Sequence, residues 1–198
     1  MRRKYTSCIV CISDNFIITV PTPLLPGKTA DLSFVKNVCE ALAPKLKQND
    51  LIILESTSPV GTLRQVENWL SQLRQDLRFP FREGPDADIK LAYCPERILP
   101  GNLVFEITHN DRIIGGINEE SADFVYKFYE SFTFCNLYKT TSKTAELVKL
   151  CENSYRDVNI AFANELSLLC DEENIDVKEV ISLANKHPRV DILNPGIG

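Results

Sequence analysis

Two kinds of segment alternate along the chain. Short apolar blocks at residues 16–20 (FIITV), 51–54 (LIIL) and 89–94 (IKLAYC) are each closed by proline or hydroxyl residues, the pattern of strands buried on both faces. Between and after them, apolar residues recur at helical spacing over 31–46, 63–73, 119–132 and 176–186. Asp31 and Asn118 stand where helix starts favour a short polar side chain, and Pro44 is expected to end or distort the first helix. Trp69 and Leu70 fall on the buried side of the second. Further short strands are expected at 111–116 and 134–137, and 76–88 reads as a polar surface loop. This alternation predicts an α/β fold.

One segment breaks the rhythm. Residues 142–174 run without Gly or Pro, about nine turns, or roughly 45–50 Å of helix. Leu147, Leu150, Cys151, Val158, Ala161, Phe162 and Leu169 gather on one side, interrupted by Ser154 and Glu165. On the opposite side Lys149, Asn153 and Arg156 follow at i, i+4 and i+7, so an ammonium, an amide and a guanidinium point the same way. Alone, such a trio is ordinarily a solvated helix face.

A second stretch gives the trio a possible task. The apolar run ending at Cys94 passes straight into Pro95-Glu96-Arg97-Ile98 and is closed by Pro100-Gly101, the form of a catalytic loop at the carboxyl end of a parallel strand. Glu96 is the candidate acid/base, and Lys149 and Asn153 are candidates to hold developing negative charge. Thr22, between two prolines, closes the first strand, and the hydroxyl-rich turn 55–62 (ESTSPVGT) precedes a helix. Such turns suit an anion or a cofactor ribose, and they are also plain capping chemistry.

Charge and composition narrow the partners. A net charge of −5 with no basic block beyond the first four residues argues against a nucleic-acid partner. The chain has no run of about 18 apolar residues, so no membrane span is expected. Its first residues carry no signal-peptide pattern, and a cytoplasmic location is expected. Seven cysteines, an odd number, read as reduced and mostly buried thiols. Cys8-x-x-Cys11 stands alone with only two histidines elsewhere, so no metal site is expected.

With those residues in view, the chain resembles the UDP-glucose/GDP-mannose dehydrogenase family. The segments that carry the resemblance are 20–23 (VPTP), 55–62, 92–101 (AYCPERILPG), 110–116 (NDRIIGG), 144–170 and 185–196 (NKHPRVDILNPG). The resemblance implies two hydride transfers to NAD that take the C6 alcohol of a nucleotide sugar to the carboxylate. A cysteine captures the aldehyde, and water hydrolyses the thioester. The substrate implied is UDP-N-acetyl-D-mannosamine, oxidised to its uronate for surface polysaccharide, with UDP-N-acetylglucosamine as the alternative. Glu96 matches the carboxylate that manages water and protons, and Lys149 and Asn153 match the pair that stabilises the oxyanion. Arg97, Ile98, Arg156, His187 and Arg189 match substrate contacts, while Thr22, Thr57 and Thr62 match the NAD side. A homodimer through the 142–174 helix is implied as well.

Two parts of the family pattern are missing from the sequence. The family opens on strand–GxGxxG–helix, and none of the eight glycines forms that motif. Its catalytic cysteine lies in a Gly-Gly-His-Cys segment expected just beyond Gly198. None of the seven cysteines replaces it: Cys94 is expected to pack inward, and Cys151 and Cys170 lie away from the Lys149 face. The fold expected is therefore the second half of a Rossmann-like doubly wound parallel sheet (1–139), followed by a mainly α-helical central dimerisation region (140–198). Two functional readings follow: the middle portion of a nucleotide-sugar dehydrogenase, or a catalytically inert remnant that serves as a helical dimerisation module.

Overall fold

The computed structural model of the chain describes residues 14–98 and 101–197. Cys8 and Cys11 lie outside the described residues. What is described divides into two compact units, one ending at Lys149 and the other beginning at Leu150.

The first unit is built on five strands whose spatial order is their chain order: β1 (Asn15–Ile18), β2 (Leu51–Leu54), β3 (Lys90–Tyr93), β4 (Arg112–Gly116) and β5 (Leu137–Thr141). β1, β2 and β3 are parallel, with Asn15 opposite Leu51 and Leu51 opposite Lys90. β4 runs antiparallel to β3 and parallel to β5. The expected doubly wound parallel sheet is thus present, with one antiparallel junction, between β3 and β4. The connection there carries helix α4 (Leu103–His109), none of whose residues is buried, so no crossover helix packs on the sheet to return the chain for a parallel strand.

Strand alternation divides the apolar blocks between two faces. Ile52 and Leu54 of β2 join Leu91 and Tyr93 of β3 on one face. They pack with Val35, Cys39 and Leu42 of α1 (Ser33–Leu42) and Leu63, Val66 and Leu70 of α2 (Thr62–Leu73). Trp69 lies partly buried against this cluster. Leu51 and Ile53 join Ala92, Cys94 and Ile114 on the other face, under Ala122, Val125 and Tyr129 of α5 (Glu119–Glu130). Every residue of β2 is fully buried, which is why LIIL has no polar position.

Local chemistry sets the helix ends. The Asn118 side chain accepts from Ser121 N and caps α5. Pro44 turns the end of α1 into one turn of 3₁₀ helix over Ala43–Lys45. Gly115 and Gly116 are required for close approach, since a Cβ on Gly115 would meet Ala145 Cβ at 2.6 Å and Ser142 Cα at 2.8 Å.

Two expectations shift. β5 lies at 137–141 rather than 134–137, leaving Phe134 80% exposed. The 76–88 stretch holds the short helix α3 (Pro80–Glu83) and buries Phe79, Ala87 and Asp88, the last bound by Arg78.

The long helix α6 (Ser142–Glu173) gives its first two turns to the first unit and the rest to the second. In the second unit, Asp176 caps α7 (Val177–Ala184), and the chain after it forms no further helix or strand among the described residues. Three asparagines hold that final segment by its backbone. Asn159 donates to Asp191 O (2.8 Å) and accepts from Leu193 N (2.9 Å). Asn164 does both with Gly196, and Asn185 does both with Ile192, at 2.8–2.9 Å. The apolar stripe of α6 stays exposed, Val158 at 68% and Phe162 at 56%.

Candidate functional site

Three loops meet at the carboxyl ends of β1, β2 and β3. They line a cavity of about 290 Å³ with Thr19, Val20, Pro21 and Thr22 from the first, Glu55, Ser56 and Thr57 from the second, and Glu96 from the third. Each loop follows a strand that ends in proline or hydroxyl residues, so the backbone leaves the ladder there.

Hydrogen bonds join the loops to one another. Ser56 Oγ accepts from Val20 N (2.8 Å), Thr22 Oγ1 donates to Thr57 O (2.5 Å), and Glu96 N donates to Glu55 O (3.4 Å). From α6, Lys149 Nζ donates to the main-chain oxygen of Glu96 at 2.6 Å. The Glu96 carboxylate accepts from Ile98 N within the same turn. Glu96 and Lys149, picked out by sequence, are therefore in direct contact.

At one wall of the cavity, charge is largely buried and paired. Glu55 Oε1 accepts from Tyr129 Oη (2.6 Å) and lies 3.5 Å from Arg112 Nη1, whose guanidinium also covers the Tyr129 ring. Burial raises the Glu55 carboxyl above its usual range, against the pull of Tyr129 and Arg112. Burial likewise pushes the Cys94 thiol up to about 11, so Cys94 is an inert thiol at neutral pH. Glu55 and Arg112 were missed by sequence reasoning. A Glu opening a hydroxyl-rich turn and an Arg in a short strand carry no periodic signal, and only the fold pairs them.

The other sequence-predicted residues are placed as follows. Arg97 Nη1 donates to Asp111 O (3.0 Å), and Asn110 Nδ2 donates to Arg97 O, so that turn is tied to the start of β4. Thr62 is buried, its hydroxyl donating to Pro59 O at 2.7 Å, and it holds the turn together rather than facing the cavity. In the second unit Arg156 Nη2 reaches Asn153 Oδ1 at 3.4 Å, as their shared helix face implied. Arg189 N donates to His187 Nδ1 at 3.3 Å, and both residues are exposed.

A larger cavity of about 670 Å³ lies elsewhere in the first unit, among Arg64, Phe81, Asn118 and residues 139–143. None of the candidate catalytic, substrate or cofactor residues lines it. No group of three or more His, Cys, Asp or Glu among the described residues is arranged to hold a metal, and no described helix is long and apolar enough to cross a membrane.

A mostly parallel sheet with helices on both faces, and loops converging at its strand ends on hydroxyls and a carboxylate, defines a nucleotide-binding α/β protein of the Rossmann type. The chain belongs to the UDP-glucose/GDP-mannose dehydrogenase family: residues 5–133 match its NAD binding domain and residues 143–198 its central domain. It is 52% identical over 186 residues to an NDP-N-acetyl-D-galactosaminuronic acid dehydrogenase of Ralstonia nicotianae, covering 94% of this chain and 44% of that protein. It is also 52% identical, with the same coverage, to a UDP-N-acetyl-D-mannosamine dehydrogenase of Yersinia pestis. Among solved structures, that of UDP-D-ManNAc dehydrogenase from Pyrococcus horikoshii matches with a TM-score of 0.85 and 43% identity, covering 94% of this chain and 43% of that one. The chain thus spans less than half the length of the curated relatives it matches.

Proposed function

We propose that this chain supplies the carboxylate, the lysine and the cofactor-side loops of an NAD-dependent nucleotide-sugar dehydrogenase. The substrate proposed is UDP-N-acetyl-D-mannosamine, oxidised at C6 to the uronate for surface polysaccharide. The observation that carries this reading is the contact between Lys149 and Glu96 at the rim of a cavity whose other walls are the Thr22 and Thr57 turns. The hydroxyls and strand-end backbone suit a ribose and a nicotinamide, with Thr22 and Thr57 as the residues that would hold them.

Bound NAD supplies hydride acceptance. The chain's own residues have the remaining work. Oxidation of the alcohol, and then of the thiohemiacetal, each releases a proton with the hydride, and Glu96, one of the carboxylates lining the cavity, is proposed to take it up or to orient water. An ammonium has three N–H donors, and the bond to Glu96 O occupies one of those of Lys149, leaving two for an oxyanion. Asn153, four residues further along α6, is proposed for the same role, and Arg97, Ile98, Arg156, His187 and Arg189 are proposed as substrate contacts.

A second property is proposed from a separate observation. Leu147, Val158, Phe162 and Leu169 of α6 are all more than half exposed, an apolar stripe that would be covered in a homodimer. Sedimentation of the chain and of its Val158→Glu variant tests this. A concentration-dependent dimer that the substitution dissolves supports it, and a monomer in both removes it.

Catalysis is tested by following reduced nicotinamide with UDP-N-acetyl-D-mannosamine. The chain is assayed alone and together with polypeptides carrying a GxGxxG half-domain and a Gly-Gly-His-Cys segment. Turnover that Lys149→Ala abolishes supports the reading. Absence of turnover in every mixture, with no NAD or UDP-sugar binding by calorimetry, overturns it.

A further inference from the structure

Glu146 carries none of the roles assigned above, yet it is a fully buried acid one turn before Lys149. Its carboxylate accepts from Gly61 N (2.6 Å) through one oxygen and from Leu63 N (2.8 Å) through the other. Those are orphan amides at the start of α2, a helix whose own N-cap residue, Gly61, offers no side-chain acceptor. A residue 85 positions away in sequence therefore supplies the cap.

That placement ties two loops to one helix. Glu146 holds the turn that runs from Glu55 to Gly61, and Lys149, about 4.5 Å further along the axis, holds the turn containing Glu96. Thr22, bonded to Thr57 O, follows the first of these turns. These two turns are walls of the 290 Å³ cavity, the third being the Thr19–Thr22 loop, which is bonded to the first turn through Thr22 and Val20; Glu146 itself does not line it. Two hooks at i and i+3 on a rigid helix thus fix the separation between the hydroxyl wall and the carboxylate wall.

We infer that Glu146 is a positioning residue for the cavity, setting the distance from the Thr22/Thr57 wall to Glu96 through its clasp on the α2 N-terminus. Burial raises its carboxyl above the usual range while the two N–H donors pull it back, as expected of an acid held in place by backbone amides. The functional part of the inference rests on the proposal that this cavity receives NAD. The geometric part does not.

The test compares the intact chain with Glu146→Gln, which keeps size but turns an amide N–H₂ toward one of the two N–H groups, and Glu146→Asp, which keeps both acceptors. Asn118→Ala, which removes the α5 cap, is the control for general destabilisation. Hydrogen exchange is read amide by amide, and NAD affinity by calorimetry. The expected result is faster exchange in Glu146→Gln at Gly61 and Leu63 and also at Glu96. NAD affinity should fall about tenfold, the scale of one to two lost hydrogen bonds, with partial recovery in Glu146→Asp and no change at Glu96 in Asn118→Ala. Exchange that changes only at Gly61 and Leu63 would reduce Glu146 to an ordinary helix cap and overturn the inference. If Glu146→Gln does not fold, Glu146→Asp decides on the same readouts. If the unaltered chain binds no NAD, the functional proposal fails, while exchange at Glu96 still decides whether the clasp exists.

Discussion

The two units are held together by different means. The first has a five-stranded sheet with apolar clusters on both faces, and every residue of β2 is fully buried. The second has few buried residues, Ala163, Cys170 and Ile181 among them, and its final segment is fastened by the amide side chains of Asn159, Asn164 and Asn185. Apolar burial is non-directional and sums over area, whereas each amide hydrogen bond contributes about 1 kcal/mol and specifies one backbone group. The first arrangement makes stability, and the second makes register.

The comparison breaks most visibly in the core of the first unit. Ile53→Ala empties a site with no exposure and is expected to cost roughly 2–5 kcal/mol in denaturant unfolding. Gly115→Ala forces a Cβ against Ala145 and the α6 backbone, and is expected to cost roughly 1–3 kcal/mol in the same measurement. In the second unit, Asn164→Ala removes both bonds to Gly196 and should lower local opening free energy by roughly 1–2 kcal/mol. Hydrogen exchange would record this at Gly196, with the β2 amides unaltered.

The smallest expected effect is one of pH. The folded-state pKa of Glu55 is raised, so its contribution to stability is fully present below its unfolded value of about 4.3 and is lost as pH rises through the folded value. Unfolding midpoints measured across pH should therefore show the intact chain losing ground relative to Glu55→Gln as pH rises above about 4.3. A constant difference between the two would mean that Arg112 and Tyr129 compensate the burial fully.

Much of the first unit was legible in the sequence because its signals are strong and local. LIIL admits only a strand buried on both faces, Asn118 sits where a cap must, and the run from Ser142 lacks any helix breaker until it ends at Glu173. Pro44 disturbed its helix as its missing N–H requires. The failures have physical causes too. α4 was missed because Leu103, Val104 and Phe105 are adjacent and exposed, giving no amphipathic stripe. β5 was misplaced because it is an edge strand whose LYKTT residues are mostly polar, while the apolar residues before it face outward. Strand direction at β4 left no trace in the residues themselves. The contact of Lys149 with Glu96 could be expected from chemistry, but Glu146 could not, since a Glu on a long helix reads as a solvated position until a distant helix start is brought against it.

Trp69 gives the molecule a built-in optical label. It is the sole tryptophan of the sequence and lies against the α1–α2 cluster of the first unit, with none in the second. Its emission will report the environment of that sheet face, and a red shift on heating or in denaturant will date the loss of that core. Events confined to residues 150–197 will leave the tryptophan band dark to them, so their melting must be followed by far-ultraviolet dichroism, and any lag between the two signals separates the units without a single substitution.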